Sequence, residues 1–179
     1  MRDDDAIVVV VGIMLWLMSR KDESKVVSSE EWDGEWHWPV PRDAAGNPPV
    51  VSNEFRRPSH LGVDVMYRVG GRYVAPEGTK VLAARAGVVW STGKTARGWN
   101  VVLDHGKPWA TFYQHLAAEP LVKKGDHVAA GQELGFMGAD PTDPQKVRHL
   151  HFATWYKGAG DSASVDPGPH MSNWSIDIG

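Results

Sequence analysis

Short runs of β-branched and aromatic residues recur between Arg57 and Lys157, separated by Gly, Pro and Asp. They read GVDVMY, KVLAARAGVVWS, WNVVLDHG, WATFYQHL, QELGFMG and HLHFATWY. Runs of this length with turn residues between them are typical of strands. No long amphipathic helix interrupts them. We therefore expect an all-β, mainly antiparallel fold, accompanied by one short hydrophobic helix at the N-terminus.

Composition narrows the chemistry that such a fold could carry. The 179 residues are 42% hydrophobic and 23% charged, which excludes wholesale disorder. Because 19 Lys and Arg face 22 Asp and Glu, no basic surface is expected and we predict no nucleic-acid partner. The absence of cysteine excludes disulfides and thiolate metal sites. Any metal ion must therefore be bound by His, Asp or Glu.

The N-terminus differs in character, because Ala6 to Ser19 form an uncharged run, AIVVVVGIMLWLMS. As a helix it would reach about 21 Å, short of the ~30 Å hydrocarbon core of a bilayer. We favour an uncleaved hydrophobic anchor. The alternatives are a signal peptide, which the acidic leader and missing A-x-A site argue against, and a helix buried in an assembly. The expected division is an anchor helix over 1–19, a linker over 20–37, a main domain over 38–171 and a tail over 172–179.

Two histidine motifs carry candidate chemistry. In His60-Leu61-Gly62-Val63-Asp64, a straight strand would hold His60 and Asp64 about 13 Å apart. Pro58, Gly62 and Val63 argue against a helix here. The pair can share one ion only if His60 lies on a loop that curls back over a strand beginning near Asp64, and Gly62 permits such a bend.

In His149-Leu150-His151 the two histidines would share one face of a strand, about 6.5–7 Å apart. One of them, together with His60 and Asp64, would supply three protein ligands and leave a fourth position open. That arrangement is typical of catalytic zinc. Each motif is weak by itself. His37 and His170 lie in peripheral segments and are expected to be solvated, whereas His105 and His127 are expected to be structural or exposed.

A longer series of motifs surrounds these histidines. It comprises His60-x-Gly62-Val63-Asp64, Gly78-Thr79-x-Val81-x-Ala83, Gly87-Val88-Val89, Val101-x-Leu103-x-His105-Gly106, Thr111-x-Tyr113-x-His115-Leu116, Gly125-Asp126-x-Val128-x-x-Gly131-Gln132-x-Leu134-Gly135, His149-Leu150-His151-Phe152 and Val165-Asp166-Pro167. In this order the chain resembles the lysostaphin/LytM-type zinc endopeptidases that cut cell-wall peptides. The resemblance implies a twisted antiparallel sheet of the duplicated hybrid-motif or barrel-sandwich type, with a shallow groove across it.

The resemblance also implies a role for each matching residue. His60, Asp64 and His151 become the ligands of one Zn²⁺ per chain, and His115 and His149 become catalytic histidines that bind no metal. The implied reaction is hydrolysis of peptidoglycan cross-link peptides by a zinc-activated water. A non-catalytic scaffold or activator is the alternative, although such relatives typically lack ligands that are present here. A biotinyl or lipoyl carrier would need a modifiable lysine at a hairpin tip, and none is found.

Some segments depart from the family pattern. The stretch Gly138–Arg148 carries prolines, aspartates and an arginine where the family has glycines and a threonine, and Ala153 stands where an acid is common. These differences leave the scissile bond open. A short anchor would suit a membrane-anchored, periplasm-facing envelope enzyme or a virion-associated one. The N-terminal segment would then contact the membrane or virion proteins.

Overall fold

The computed structural model describes residues 35–145, 147–158 and 161–177, which form eleven strands and one short helix. The elements are β1 (Pro49–Asn53), β2 (Val63–Val69), β3 (Arg72–Val74), β4 (Lys80–Leu82), β5 (Gly87–Thr95), β6 (Gly98–Asp104), β7 (Trp109–Leu116), β8 (His127–Val128), β9 (Glu133–Phe136), β10 (Leu150–Gly158), β11 (Asp161–Val165) and α1 (Gly168–Met171). All pairings between these strands are antiparallel. The predicted fold class is confirmed.

A nine-stranded sheet dominates the described residues. Its strand order is β1-β2-β10-β7-β6-β5-β8, with β3 added beside β2 and β11 added beside β10. Strands β4 and β9 form a separate two-stranded sheet. The run KVLAARAGVVWS is therefore divided between two sheets, since it supplies both β4 and the first half of β5.

The two faces of the large sheet have different surroundings. On one face, which we call the core face, Tyr113 and Phe152 belong to the main hydrophobic cluster together with Val81 of β4 and Leu134 of β9. The small sheet thus packs on this face. On the other face a smaller cluster contains Val102, Ala110, Phe112, Ala153 and Trp155. Phe112, Ala153 and Trp155 also line a groove of about 480 Å³, so we call this the groove face.

His105 lies at the end of β6 and is part of a hydrogen-bond network on the core face. Its Nδ1–H donates to the Ala86 carbonyl over 2.9 Å, and its Nε2 lies 2.7 Å from the Thr111 hydroxyl oxygen. That oxygen lies 3.0 Å from the buried Tyr113 hydroxyl. Burial lowers the pKa of His105 to about 4, which keeps the ring neutral. His105 therefore has a structural role, as expected.

One peripheral histidine does not match the expectation. His37 is 6% exposed rather than solvated. Its backbone N–H donates to the Ala84 carbonyl over 2.8 Å, and it forms a bridge with Ser175. The segment is held between these two stretches of chain, which removes the histidine from solvent.

The short elements β1, β3, β8, β11 and α1 are not among the predicted runs. The predicted anchor helix over 1–19 lies outside the described residues, as does most of the linker. Within the described ranges, no helix has both the length and the apolar character to span a bilayer.

Candidate metal centre and active-site groove

A row of polar residues crosses the groove face from strand to strand. Asn53 of β1 is opposite Asp64 of β2, Asp64 is opposite His151 of β10, and His151 is opposite Gln114 of β7. Residues directly opposite in neighbouring strands have Cβ atoms about 5 Å apart on the same face. Strand register alone therefore brings Asp64 and His151 together, although they are distant in the sequence.

His60 reaches this row from a tight loop before β2. Arg56 and His60 exchange two backbone hydrogen bonds, of 2.8 and 2.7 Å. The chain thereby curls back over the start of β2, as the spacing of the motif requires. The ring is fixed as well, since Nδ1–H donates to the Glu54 carbonyl over 2.8 Å. In the neutral ring Nε2 therefore carries a lone pair directed at Asp64.

Gly62 is needed because there is no room for a side chain at this position, as well as because the loop bends here. A Cβ atom at this position would lie 2.6 Å from the Phe152 carbonyl oxygen and 2.9 Å from Cε1 and Nε2 of His151. Any side chain would thus collide with the β10 backbone and with a candidate ligand. The glycine between His60 and Asp64 lets the loop lie directly against the imidazole of His151.

The three predicted ligand atoms converge. His60 Nε2 lies 3.0 Å from Asp64 Oδ1 and 3.0 Å from His151 Nδ1, and the latter two atoms are 3.1 Å apart. Ligand atoms of tetrahedral zinc, each about 2.0–2.1 Å from the ion, would be separated by about 3.3 Å. Because the lone pair of His60 Nε2 and the carboxylate of Asp64 are both acceptors, their 3.0 Å separation requires a shared cation or proton. The donor set therefore fits a zinc ion.

Asn53 is a site residue that sequence reasoning missed. Its Nδ2 donates to Asp64 Oδ2 over 2.7 Å, which leaves Oδ1 free to face the histidines. Its own Oδ1 accepts from the Arg56 guanidinium over 2.6 Å. Burial acts to raise the pKa of Asp64, but hydrogen bonds from His151 and Asn53 outweigh it and hold that pKa well below its usual range. The carboxylate is therefore ionised and oriented.

His115 enters the groove through a β-bulge. Trp99 is opposite Leu116 and Asn100 is opposite Gln114, so His115 is the extra residue in β7. Its φ of +68° is the only positive value at a non-glycine residue in the described part of the chain. Strict alternation would place His115 on the core face with Tyr113. The bulge instead lets His115 line the groove beside Gln114.

The hydrogen bonds of His115 and His149 direct one nitrogen of each ring towards the groove. Nδ1–H of His115 donates to the Arg97 carbonyl over 2.7 Å, and Nδ1–H of His149 donates to the Val147 carbonyl over 2.9 Å. The ring centroids are 4.7 Å apart, and His149 Nε2 lies 3.9 Å from Asp64 Oδ1. Burial lowers the pKa of His115 to about 4, so its Nε2 is unprotonated near neutral pH.

The atypical Gly138–Arg148 segment contributes Asp140, which sequence reasoning did not select. Its side chain is buried, and Oδ1 accepts from the Thr142 backbone N–H over 2.8 Å and from the Thr142 hydroxyl over 2.6 Å. Oδ2 accepts from Nη1 of Arg97 over 3.1 Å and lies 4.0 Å from His115 Nε2. One groove wall is thus joined to the β5–β6 hairpin.

Comparison with known proteins agrees with this arrangement. The model of Peptidase family M23 matches residues 60–167, and this range includes all five predicted site residues. The chain belongs to Peptidase family M23. The family resemblance inferred from the sequence is confirmed.

Three relatives illustrate the extent of the likeness. The M23 chain is 38% identical over 105 residues to the peptidoglycan DD-endopeptidase ShyC of Vibrio cholerae, covering 57% of this chain and 24% of ShyC. It is 37% identical over 95 residues to the uncharacterised lipoprotein YgeR of Escherichia coli K12, covering 52% and 35% of the two chains. A structure from Ruminococcus gnavus described as a LytM glycyl-glycine endopeptidase has a TM-score of 0.64 at 27% identity, covering 81% of this chain and 63% of that one. The M23 chain thus spans between a quarter and about a third of these two curated relatives.

Proposed function

We propose that this chain is a zinc endopeptidase that hydrolyses the peptide cross-links of bacterial peptidoglycan. The observation that carries the proposal is the convergence of His60, Asp64 and His151 within 3.0–3.1 Å, beside two histidines whose free nitrogens face the same groove. Membership of family M23 and the likeness to a peptidoglycan DD-endopeptidase support this substrate class.

In this proposal His60, Asp64 and His151 hold one zinc ion. When bound, zinc would polarise the scissile carbonyl and lower the pKa of a water molecule. Asn53 holds Asp64 in its ligating orientation. The Nε2 atoms of His115 and His149, which their hydrogen bonds direct towards the groove, orient the attacking water and accept its proton. The protonated ring can then donate a hydrogen bond to the developing oxyanion or a proton to the leaving amine. The complete set of five side chains supports hydrolysis over a non-catalytic scaffold.

Digestion of purified sacculi by the zinc-loaded full-length protein tests the activity. We expect soluble peptides, identified by mass spectrometry, to be released with zinc and not with chelator. The His151→Ala variant should lose bound zinc and should release peptides about a thousandfold more slowly. His127→Ala is a matched control, because it removes an exposed histidine outside the groove and should digest sacculi normally. Equal release by His151→Ala and the unaltered chain would contradict the proposal.

The setting of the protein is a separate part of the proposal. The main domain over 38–171 would act on the wall while residues 1–19 attach it to a membrane or to virion proteins. The apolar character of the run from Ala6 to Ser19 supports attachment. Fractionation distinguishes the settings, since an envelope enzyme should sediment with membranes of producing cells and a virion enzyme should co-purify with particles. Recovery in neither fraction would contradict attachment.

A further inference from the structure

The groove also carries an accessible cation, which lies outside the candidate metal centre. Among the described residues that line the groove, Arg97 is the single lysine or arginine. Its side chain is 63% exposed, whereas that of Asp140 is 8% exposed. The groove therefore presents a guanidinium to solvent next to His115. The ring of His115 donates a hydrogen bond to the backbone carbonyl of the same arginine.

The position of Arg97 is defined at three points. Its backbone N–H donates to the Thr95 hydroxyl over 3.1 Å within the hairpin turn. Its carbonyl accepts from Nδ1 of His115 over 2.7 Å, and its Nη1 donates to Asp140 over 3.1 Å. The bond from Nη1 to Asp140 holds the guanidinium at the groove wall, so the side chain loses less freedom on binding a ligand than that of an arginine without such a partner. These contacts are those of a preorganised binding group.

Arg97 retains hydrogen-bonding capacity. A guanidinium has five N–H donors, and the bond to Asp140 involves Nη1. Its other nitrogens can donate to a second carboxylate, the partner whose planar geometry a guanidinium matches. The groove-lining carboxylates Asp64 and Asp140 are both hydrogen-bonded already. Because the Arg97 side chain is 63% exposed and those of Asp64 and Asp140 are 14% and 8% exposed, the charge that this wall presents to solvent is positive, which favours an anionic substrate over a neutral one.

We propose that Arg97 binds a free carboxylate of the substrate, next to the scissile bond on the His115 side of the groove. This inference rests on the proposed peptidase function and specifies its substrate class. The preferred cross-links carry a free carboxylate at the bridge, as those containing diaminopimelate do. Glycine bridges offer no such group, and amidation of the carboxylate removes the negative charge.

The test uses the zinc-loaded full-length protein and a synthetic cross-linked peptide pair with diaminopimelate at the bridge. The bridge carboxylate is prepared as the free acid and as the carboxamide. We expect kcat/KM to be about tenfold higher for the acid, mainly through KM. Arg97→Gln should abolish the preference by lowering kcat/KM for the acid alone, and Arg97→Lys should retain part of it. Arg72→Gln, an exposed arginine outside the groove, should leave it unchanged.

Binding measured by calorimetry on the His149→Ala background separates this inference from the proposed function. Preferential binding of the acid that Arg97→Gln abolishes supports the carboxylate site even if no form of the protein hydrolyses the peptides. In that case only the proposed function fails. Equal kcat/KM and equal binding for acid and carboxamide overturn the carboxylate site. An equal loss for both substrates in Arg97→Gln also overturns it, because Arg97 would then only join the hairpin to the Asp140 segment.

Discussion

Neighbouring residues on the strands of the large sheet have different roles, because alternate side chains lie on the core face and on the groove face. Along β10, Leu150 and Phe152 are fully buried in the main core, while His151 between them faces the groove. Along β7, Tyr113 faces the core and Gln114 faces the groove. The core face is selected for volume and packing density. On the groove face, what matters is the position in which strand register places each polar atom. A substitution on one face should therefore mainly affect stability, and a substitution at the neighbouring residue on the other face should mainly affect chemistry.

The largest expected contrast is between His151→Ala and Phe152→Ala. Removing the His151 imidazole should lower the proposed hydrolysis about a thousandfold, because the proposed zinc ion would supply several kcal/mol of transition-state stabilisation. The free energy of unfolding of the metal-free chain should change by no more than about 1 kcal/mol. Phe152→Ala should instead cost about 3–5 kcal/mol of stability. Sacculus digestion and urea denaturation with chelator present measure the two effects, and an equal stability loss in both variants would remove the contrast.

The next effect concerns the pH dependence of stability. Because the pKa of His105 is about 4 in the folded chain and 6.5 for an unperturbed histidine, the unfolded chain binds more protons between these values. The contribution of His105 is fully present above pH 6.5 and is lost as the pH falls towards 4. It amounts to about 3 kcal/mol at most. Urea denaturation at pH 7, 6, 5 and 4 measures it.

The matched variant for this prediction is His105→Gln, which keeps a polar side chain that does not titrate. Its free energy of unfolding at pH 7 should be lower, but its slope between pH 6.5 and 4 should be smaller. If the free energy of unfolding falls by the same amount between pH 7 and 4 in both proteins, the neutral state of His105 does not contribute to the pH dependence of stability.

A smaller effect is expected beside the candidate metal centre. Asn53→Ala removes the hydrogen bond that orients Asp64 and should weaken zinc binding about 10–100-fold. Competition with a chromogenic chelator measures the affinity. Asn47→Ala is the control, since Asn47 hydrogen-bonds Asp43 rather than a candidate ligand. Unchanged zinc affinity in Asn53→Ala would mean that the sheet backbone alone orients Asp64.

The smallest effect tests the bulge. At φ +68° a glycine avoids the strain that a Cβ atom introduces, so His115→Gly should be about 1 kcal/mol more stable than His115→Ala. Both variants should lose hydrolysis to the same extent, because both lack the imidazole. Thermal denaturation of the pair measures the difference. An alanine variant as stable as the glycine variant would indicate that the bulge relaxes when the histidine is removed.

Sequence patterns are most informative where a run of strand-forming residues is long. Runs such as WATFYQHL and HLHFATWY predicted β7 and β10, and the H-x-H spacing predicted two histidines directed to one side. Strands β3 and β8 have three and two residues, too few for alternation to be visible. The His60 loop was predicted because a straight strand would separate His60 from Asp64 by about 13 Å.

The site residues that the sequence did not predict have one thing in common, which is that only tertiary contacts bring them to the site. Asn53 meets Asp64 through the β1–β2 register, and Asp140 meets Arg97 across 43 positions of chain. Neither belongs to a motif of characteristic spacing. The bulge was equally invisible, since WATFYQHL reads as an uninterrupted run. A second aligned relative would not reveal these contacts unless the paired positions varied together.

The bulge at His115 also bears on transplanting this site into another scaffold. Copying His60, Asp64, His115, His149 and His151 onto a regular antiparallel sheet would bury His115 among apolar side chains. A designer would have to import the additional residue in β7 and its left-handed backbone along with the imidazole. The portable unit is therefore a stretch of irregular strand rather than a set of five side chains.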